Sequence, residues 1–274
     1  MKRALSLILA LCFVLAGAFC VAPSAAEMPE IKEYGFIDCN GVKIEYGIYG
    51  DMQGEPLLLL PPNGGDMHSF DGNILPEMSN HFKVIAVSPR GCGNSDRGEG
   101  RLTFEVMSDD LVYVLDYLEI EKVNIFGFSD GGNLGFVFTV EHPERVKSLA
   151  VMGSNINTMG TKTFNQISIV WRYLGFWIKA AITKDPADEL RRDIQGMMVR
   201  QPTLTFDDIA QIKVPVLNIY GEDDMIKRSH SKRITASIEG AQELMVIGGG
   251  HGSCFDQTET LLNPTLLEFY NGVE

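Results

Sequence analysis

The sequence is short of cysteine, of clustered histidine and of positive charge. Its 274 residues hold five cysteines, and beyond residue 26 only Cys39, Cys92 and Cys254 remain. So odd and sparse a set is no disulfide framework. At most one bridge can form, with Cys92 and Cys254 the pair to check, and small buried thiols are the expectation. The five histidines lie far apart in the chain, without the close spacing of a metal site. The glycines near position 129 lack the Gly-x-Gly-x-x-Gly spacing of a dinucleotide loop. No metal and no cofactor are therefore expected. With 23 Lys+Arg against 36 Asp+Glu, the net charge of -13 argues against nucleic acid or an anionic membrane surface as partner. Repeats and low-complexity tracts are absent too, so nothing points to a solenoid or a disordered chain.

What is present suits one large α/β domain with an insertion. Lys2 and Arg3 precede an apolar run from Leu7 to Val21, followed by small residues around Ser24 and Ala26. A charged start, an apolar middle and a small-residue site form a secretory signal. The expectation is cleavage near Ala26 and export, periplasmic or extracellular, without stable membrane association afterwards. The bulky Phe19 directly before Cys20 argues against a lipid-attached form.

Along the chain, Asn40-Gly41 between two β-type runs (37–39 and 42–46) predicts a hairpin. Leu57–Leu60 reads as a strand buried on both faces. It opens through Pro61-Pro62 into Asn63-Gly64-Gly65. A helix over 70–79, a strand over 82–87 and a helix capped by Thr103 follow. In that helix Met107, Leu111, Val114, Leu115 and Leu118 form the core face. Strands are predicted at 123–126, 146–152, 216–220 and 244–247, with helices between and after them. From Asn155 to about Asp208 the alternation stops and helical segments appear, among them Ile167–Ile182 with Trp171 and Trp177. The expected division is a signal at 1–26, a core at 27–154 and 209–274, and a helical cap at 155–208. The aromatic cluster of the cap is read first as a helix packing on its neighbours, and second as an apolar lid over a hydrophobic site.

The chemistry gathers at three loops. Val123-Asn124-Ile125-Phe126 runs into Gly127-Phe128-Ser129-Asp130-Gly131 and then into a helix. Strand, sharp turn and helix around Gly-x-Ser-x-Gly are the context of a nucleophile elbow. Its glycines let strand and helix pass without a Cβ clash. A serine hydroxyl needs a general base, and the base needs an orienting carboxylate. The strand 216–220 ends in Gly221-Glu222-Asp223-Asp224, and the strand 244–247 ends in Gly248-Gly249-Gly250-His251-Gly252. Ligands in parallel sheets gather beyond the strands' carboxyl ends, where all three loops emerge. The other histidines carry less: His142 ends a helix, His81 and His230 look solvated, and His68 either lines the pocket or packs.

The chain resembles the α/β-hydrolase superfamily, and especially its bacterial branch with Gly-Phe-Ser-Asp-Gly-Gly-Asn at the elbow, here Gly127–Asn133. The resemblance implies a mostly parallel sheet with helices on both faces and an inserted cap. It also implies Ser129 as nucleophile, His251 as base and Asp224 as the acid, with Asp223 and then Glu222 as competitors. The oxyanion donors would be the backbone N–H groups of Asn63 and Asp130. The chain departs from the family at Pro61-Pro62, where relatives usually carry His-Gly, and proline has no N–H to offer. It departs again at Ser88–Ser95, where relatives usually show Asp first and His in place of Cys92. The expected function is an exported serine hydrolase acting on a small ester or similar acyl substrate. C–C hydrolysis or perhydrolysis on the same residues, or a slow ligand-binding protein, are the rivals.

Overall fold

The computed structural model describes residues 27–273; the expected signal segment, residues 1–26, lies outside the described residues. Strand β1 (Ile31–Cys39) pairs antiparallel with β2 (Val42–Gly50) through the Asn40-Gly41 turn. Both turn residues have positive φ, 55° and 83°, as a two-residue hairpin of this twist requires. The hairpin is longer than the alternation predicts. The first half of β1 is largely exposed and carries Lys32 and Glu33, so no apolar face marks it. Gly47 and Gly50 likewise hide the second half of β2.

The remaining strands are β3 (Pro56–Leu60), β4 (Lys83–Ser88), β5 (Val123–Phe128), β6 (Val146–Met152), β7 (Val216–Gly221) and β8 (Gln242–Val246). The eight-stranded sheet has the order β1-β2-β4-β3-β5-β6-β7-β8. Only the β1–β2 and β2–β4 pairings are antiparallel; the rest are parallel. Because β3 lies between β4 and β5, the strand order reverses there. The loops after β3 and β5 leave toward opposite faces and open a crevice at the sheet's carboxyl end.

Two cores cover the sheet. One packs α2 (Phe104–Tyr117), α3 (Asp130–Glu141), the short α6 (Phe206–Ile209) and α7 (Arg228–Ser237) against one face. The other packs α1 (Ile74–Met78) and α8 (Asn263–Asn271) against the opposite face. Thr103 caps α2 by accepting from the Val106 N–H at 3.2 Å, and Met107, Leu111, Val114 and Leu115 are buried as predicted. Helix α1 is shorter than predicted. Residues 67–73 form turns, and the Asn73 side chain accepts the Ile74 N–H and starts the helix there.

Between β6 and β7 stand α4 (Thr163–Thr183) and α5 (Pro186–Arg200), packed on each other as the inserted cap. Lys184 turns the chain between them with φ 53°, and Asp185 caps α5 through the Ala187 N–H. Among the described residues no helix is long and apolar enough to cross a membrane. Cys39, Cys92 and Cys254 are buried free thiols. Burial pushes their pKa values up to about 12, 11 and 12 respectively, which leaves them weak nucleophiles.

Candidate active site

Ser129 sits between β5 and α3 at φ 55° and ψ -120°, a strained conformation for a residue with a side chain. It is held there because its N–H donates to the Met152 carbonyl at 2.8 Å and its own carbonyl accepts from Asn133 at 3.0 Å. The elbow glycines answer a steric need. A Cβ on Gly127 would stand 2.5 Å from the Gly131 carbonyl oxygen, and one on Gly131 would run into the Leu60 carbonyl. Gly132 is equally constrained, by Ser154.

The loop after β8 brings His251 over this hydroxyl. Gly248 turns with φ 68°, and Gly249 is packed against Val246 and the Cys254 sulfur. The Gly250 N–H donates to Ser253 at 2.7 Å, and the His251 ring lies 5.1 Å from that of Phe128. The Ser129 Oγ then meets His251 Nε2 at 2.9 Å, and His251 Nδ1 meets Asp224 Oδ1 at 2.8 Å. The three residues thus stand in one hydrogen-bonded line. Asp224 is 1% exposed, and its Oδ1 also accepts the Ile226 N–H at 2.9 Å. Its Oδ2 is buried beside Gly153, without a hydrogen-bond partner among the described residues. The competing acids do other work. Asp223 is exposed and ties the two loops together through its backbone N–H, which donates to the Gly249 carbonyl. Glu222 accepts the Gly248 N–H at 3.1 Å.

The α/β-hydrolase fold family model matches residues 55–192, half of the chain. The chain belongs to the α/β-hydrolase family. This α/β-hydrolase is 25% identical over 260 residues to the provisionally named carbamate hydrolase RutD of Caulobacter sp. strain K31, covering 82% of this chain and 96% of that one. It is 32% identical over 114 residues, 40% of each chain, to 2-hydroxymuconate semialdehyde hydrolase of Pseudomonas sp. strain CF600. Its fold matches that of 2-hydroxy-6-oxo-6-phenylhexa-2,4-dienoate hydrolase from Rhodococcus sp. strain RHA1 with a TM-score of 0.72 at 20% identity, over 89% of this chain and all of the other.

Asn63, in the loop after β3, is brought beside the elbow despite Pro61-Pro62. Its side-chain amide donates to Asp130 Oδ2 at 2.8 Å and to the Ile194 carbonyl of the cap at 3.0 Å. Asn133 donates to the other Asp130 oxygen at 3.0 Å and receives the Asn155 N–H at 2.8 Å. Sequence reasoning took only the backbone of Asn63 and Asp130 and missed this side-chain network. An Asn-Asp-Asn pairing across 70 residues leaves no local signal. Burial raises the Asp130 pKa to about 6, against the pull of Asn63, His251 and Asn133. In this α/β-hydrolase the second departure, Ser88–Ser95, is a braced loop. Ser88 donates to Glu45 at 2.7 Å, and Asn94 and Tyr34 donate to the same carboxylate. Arg90 holds buried Asp110 with two hydrogen bonds of 2.5 and 2.6 Å.

Two small spaces lie at the elbow, and Ser129 lines the first of them. One, about 10 Å³, is roofed by Ile169 and Met198 of the cap and closed by Met225 and Gln201; it has room for about one water. The other, about 30 Å³, lies beyond Asn63 and Asp130 among Pro62, Cys92, Met107 and Leu134. A third, wider cleft of about 280 Å³ shares Gln201 with the first and is lined by Arg97, Arg101, Arg192 and Arg200, of which Arg97 and Arg192 pair with Asp193. Of the other histidines, His68 is half-exposed and pairs with Asp71, so it lies outside these spaces. His81 pairs with Glu77 at the surface. His230 is not solvated as its sequence context suggests. It is buried, accepts the Ile156 N–H at 3.3 Å, and lies against Gly160 and Phe206.

Proposed function

We propose that this chain is an exported serine hydrolase cleaving a small ester or related acyl substrate through an acyl-enzyme. The observation that carries it is the 2.9 Å and 2.8 Å relay from Ser129 through His251 to Asp224. His251 Nε2 takes the Ser129 proton as Oγ attacks the carbonyl, and Asp224 stabilises the imidazolium that forms. The developing oxyanion is received by the N–H groups of Asn63 and Asp130. His251 passes the proton to the leaving alcohol; a water, deprotonated by the same ring, later releases the acid and restores the serine. No metal or cofactor takes part in these steps. The apolar run from Leu7 to Val21 is what supports export.

A second reading is C–C bond hydrolysis of an acidic substrate on the same residues. It is favoured by Arg101 and Arg200 beside Gln201, which are not paired with Asp193 and suit a carboxylate, and by the partial similarity to the semialdehyde hydrolase. Fluorophosphonate labelling together with turnover of p-nitrophenyl acetate tests the proposal. Labelling and turnover that both vanish in Ser129→Ala are expected. An unlabelled protein with no turnover, holding a ligand tightly, would instead identify a binding protein.

A further inference from the structure

We propose that the outer face of α4 docks reversibly on an anionic lipid bilayer surface. This helix is amphipathic in the reverse of the usual sense. Ile169 and Ala180 are its buried side, whereas Phe164, Ile167, Trp171, Leu174, Ile178 and Ile182 form a continuous stripe turned to solvent. Phe164 is 82% exposed, Trp171 70% and Ile182 76%. A contiguous apolar stripe along 21 residues, about 31 Å of helix, marks an interaction surface rather than scattered exposed residues. The chain has two tryptophans in all, and both, Trp171 and Trp177, are on this exposed side.

Charge selects the occupant. Although the whole chain carries -13, no Asp or Glu occurs between Glu144 and Asp185. Within that stretch Lys162, Arg172, Lys179 and Lys184 lie in α4 or at its ends. Arg172 and Lys179, seven residues apart, line one edge of the stripe; Lys179 is half-exposed even while paired with Asp188. A basic edge beside an aromatic and aliphatic face is a feature of a helix lying in a membrane interface. No described helix can cross a bilayer, so the contact is along the surface. Pairing of α4 with a second copy is disfavoured, because Arg172, at mid-helix, would meet its own copy with no acid to offset it. Helix α4 itself carries none of the acids behind the net charge; the first to follow it, Asp185 and Asp188, stand beyond its C-terminal end, and Asp188 is paired with Lys179.

Sheet, cores and cap all lie within residues 27–273, so the test uses the chain from Glu27, free of the apolar run at 7–21. It is mixed with vesicles of phosphatidylcholine alone and of phosphatidylcholine with phosphatidylglycerol at equal parts. Co-sedimentation at least tenfold stronger with phosphatidylglycerol is expected, with a blue shift of the emission of Trp171 and Trp177. The triple variant Phe164→Ser, Ile178→Ser, Ile182→Ser should weaken binding at least tenfold with an unchanged melting curve. Ser129→Ala should bind as the parent does, so docking and the proposed catalysis fail or stand separately. No co-sedimentation with either vesicle overturns the proposal, as does full binding by the triple variant. A dimer in sedimentation velocity, lost in that variant, with no vesicle binding, also overturns it and assigns the face to a second copy.

Discussion

The loops at the carboxyl end of the sheet and the helices of the cap obey the same physics with opposite outcomes. At the sheet, β5 and β7, which feed Ser129 and Asp224, are buried on both faces, so there an apolar run means inside and the residues after it stand at the rim. At the edge strand β8, which feeds His251, only Val246 is buried. In the cap, α4 has its apolar stripe outside and its few buried residues on the narrower side. Hydrophobic spacing identifies a helix in both regions. It fixes which way the helix faces only where further layers surround it.

The largest expected effect breaks the sheet side of this comparison at its chemical centre. Ser129→Ala should lower kcat for p-nitrophenyl acetate by about 10⁴ or more, while the melting temperature stays within error. Asp224→Asn should cost a similar factor, because the amide can hold His251 in the wrong tautomer. Asp223→Asn, whose side chain is exposed and whose structural contact is made by its backbone, should leave most of the activity. Equal losses in the two asparagine variants, measured by steady-state kinetics, would overturn the choice of acid.

The next effect is steric. Gly131→Ala puts a methyl group into the Leu60 carbonyl, backbone against backbone at the join of β3 and the elbow. Neither partner can rotate away, so a loss of about 3 kcal/mol in urea unfolding is expected. Gly175→Ala, in the exposed run of α4 where a Cβ meets nothing within 4 Å, should instead stabilise by up to about 1 kcal/mol. A pair of values that did not differ in sign would remove the contrast between the regions.

A smaller effect comes from His230 at the base of the cap. Burial, with Lys227 and Arg233 nearby, lowers its pKa to about 4 from an ordinary 6.5. A lowered histidine pKa gives stability that is present above 6.5 and lost as the pH falls toward 4. Between pH 7 and pH 5 the group should therefore cost about 2 kcal/mol of folding stability. His230→Asn should be less stable at neutral pH yet lose less on acidification, as urea midpoints at the two pH values would show. Asp130 runs the other way: its pKa, raised from 3.8 to about 6, makes its burial costly as the pH climbs from about 4 to about 6 and no more costly above that.

These cases also separate what could be read from the chain and what could not. The elbow, the acid loop and the histidine loop were legible because each is a local run of strand followed by glycine-rich turn, and parallel topology brings such loops together. The Asn63–Asp130–Asn133 network was not, because its members lie in three segments and are ordinary amides in isolation. The burial of His230 was hidden for the same reason. Its cover comes from Ile156, Gly160 and Phe206, and Ile156 lies 74 residues away in the chain. The longer hairpin escaped because an exposed strand half carries no alternation.

The smallest expected effect is the one that most sharpens the comparison. If the stripe on α4 contributed to the fold, Ile182→Ser would cost the 2 kcal/mol or more that truncating a core aliphatic does. Its side chain is 76% exposed, so little transfer energy is recovered on folding and no cavity is left behind. The stability should stay within about 0.5 kcal/mol, as for surface substitutions generally, whereas Leu134→Ser, at 2% exposure on α3, should lose several kcal/mol. A large loss at Ile182, seen as a lowered urea midpoint in dilute monomeric protein, would mean that the stripe is covered within the chain itself and that the cap obeys the same inside-out rule as the sheet.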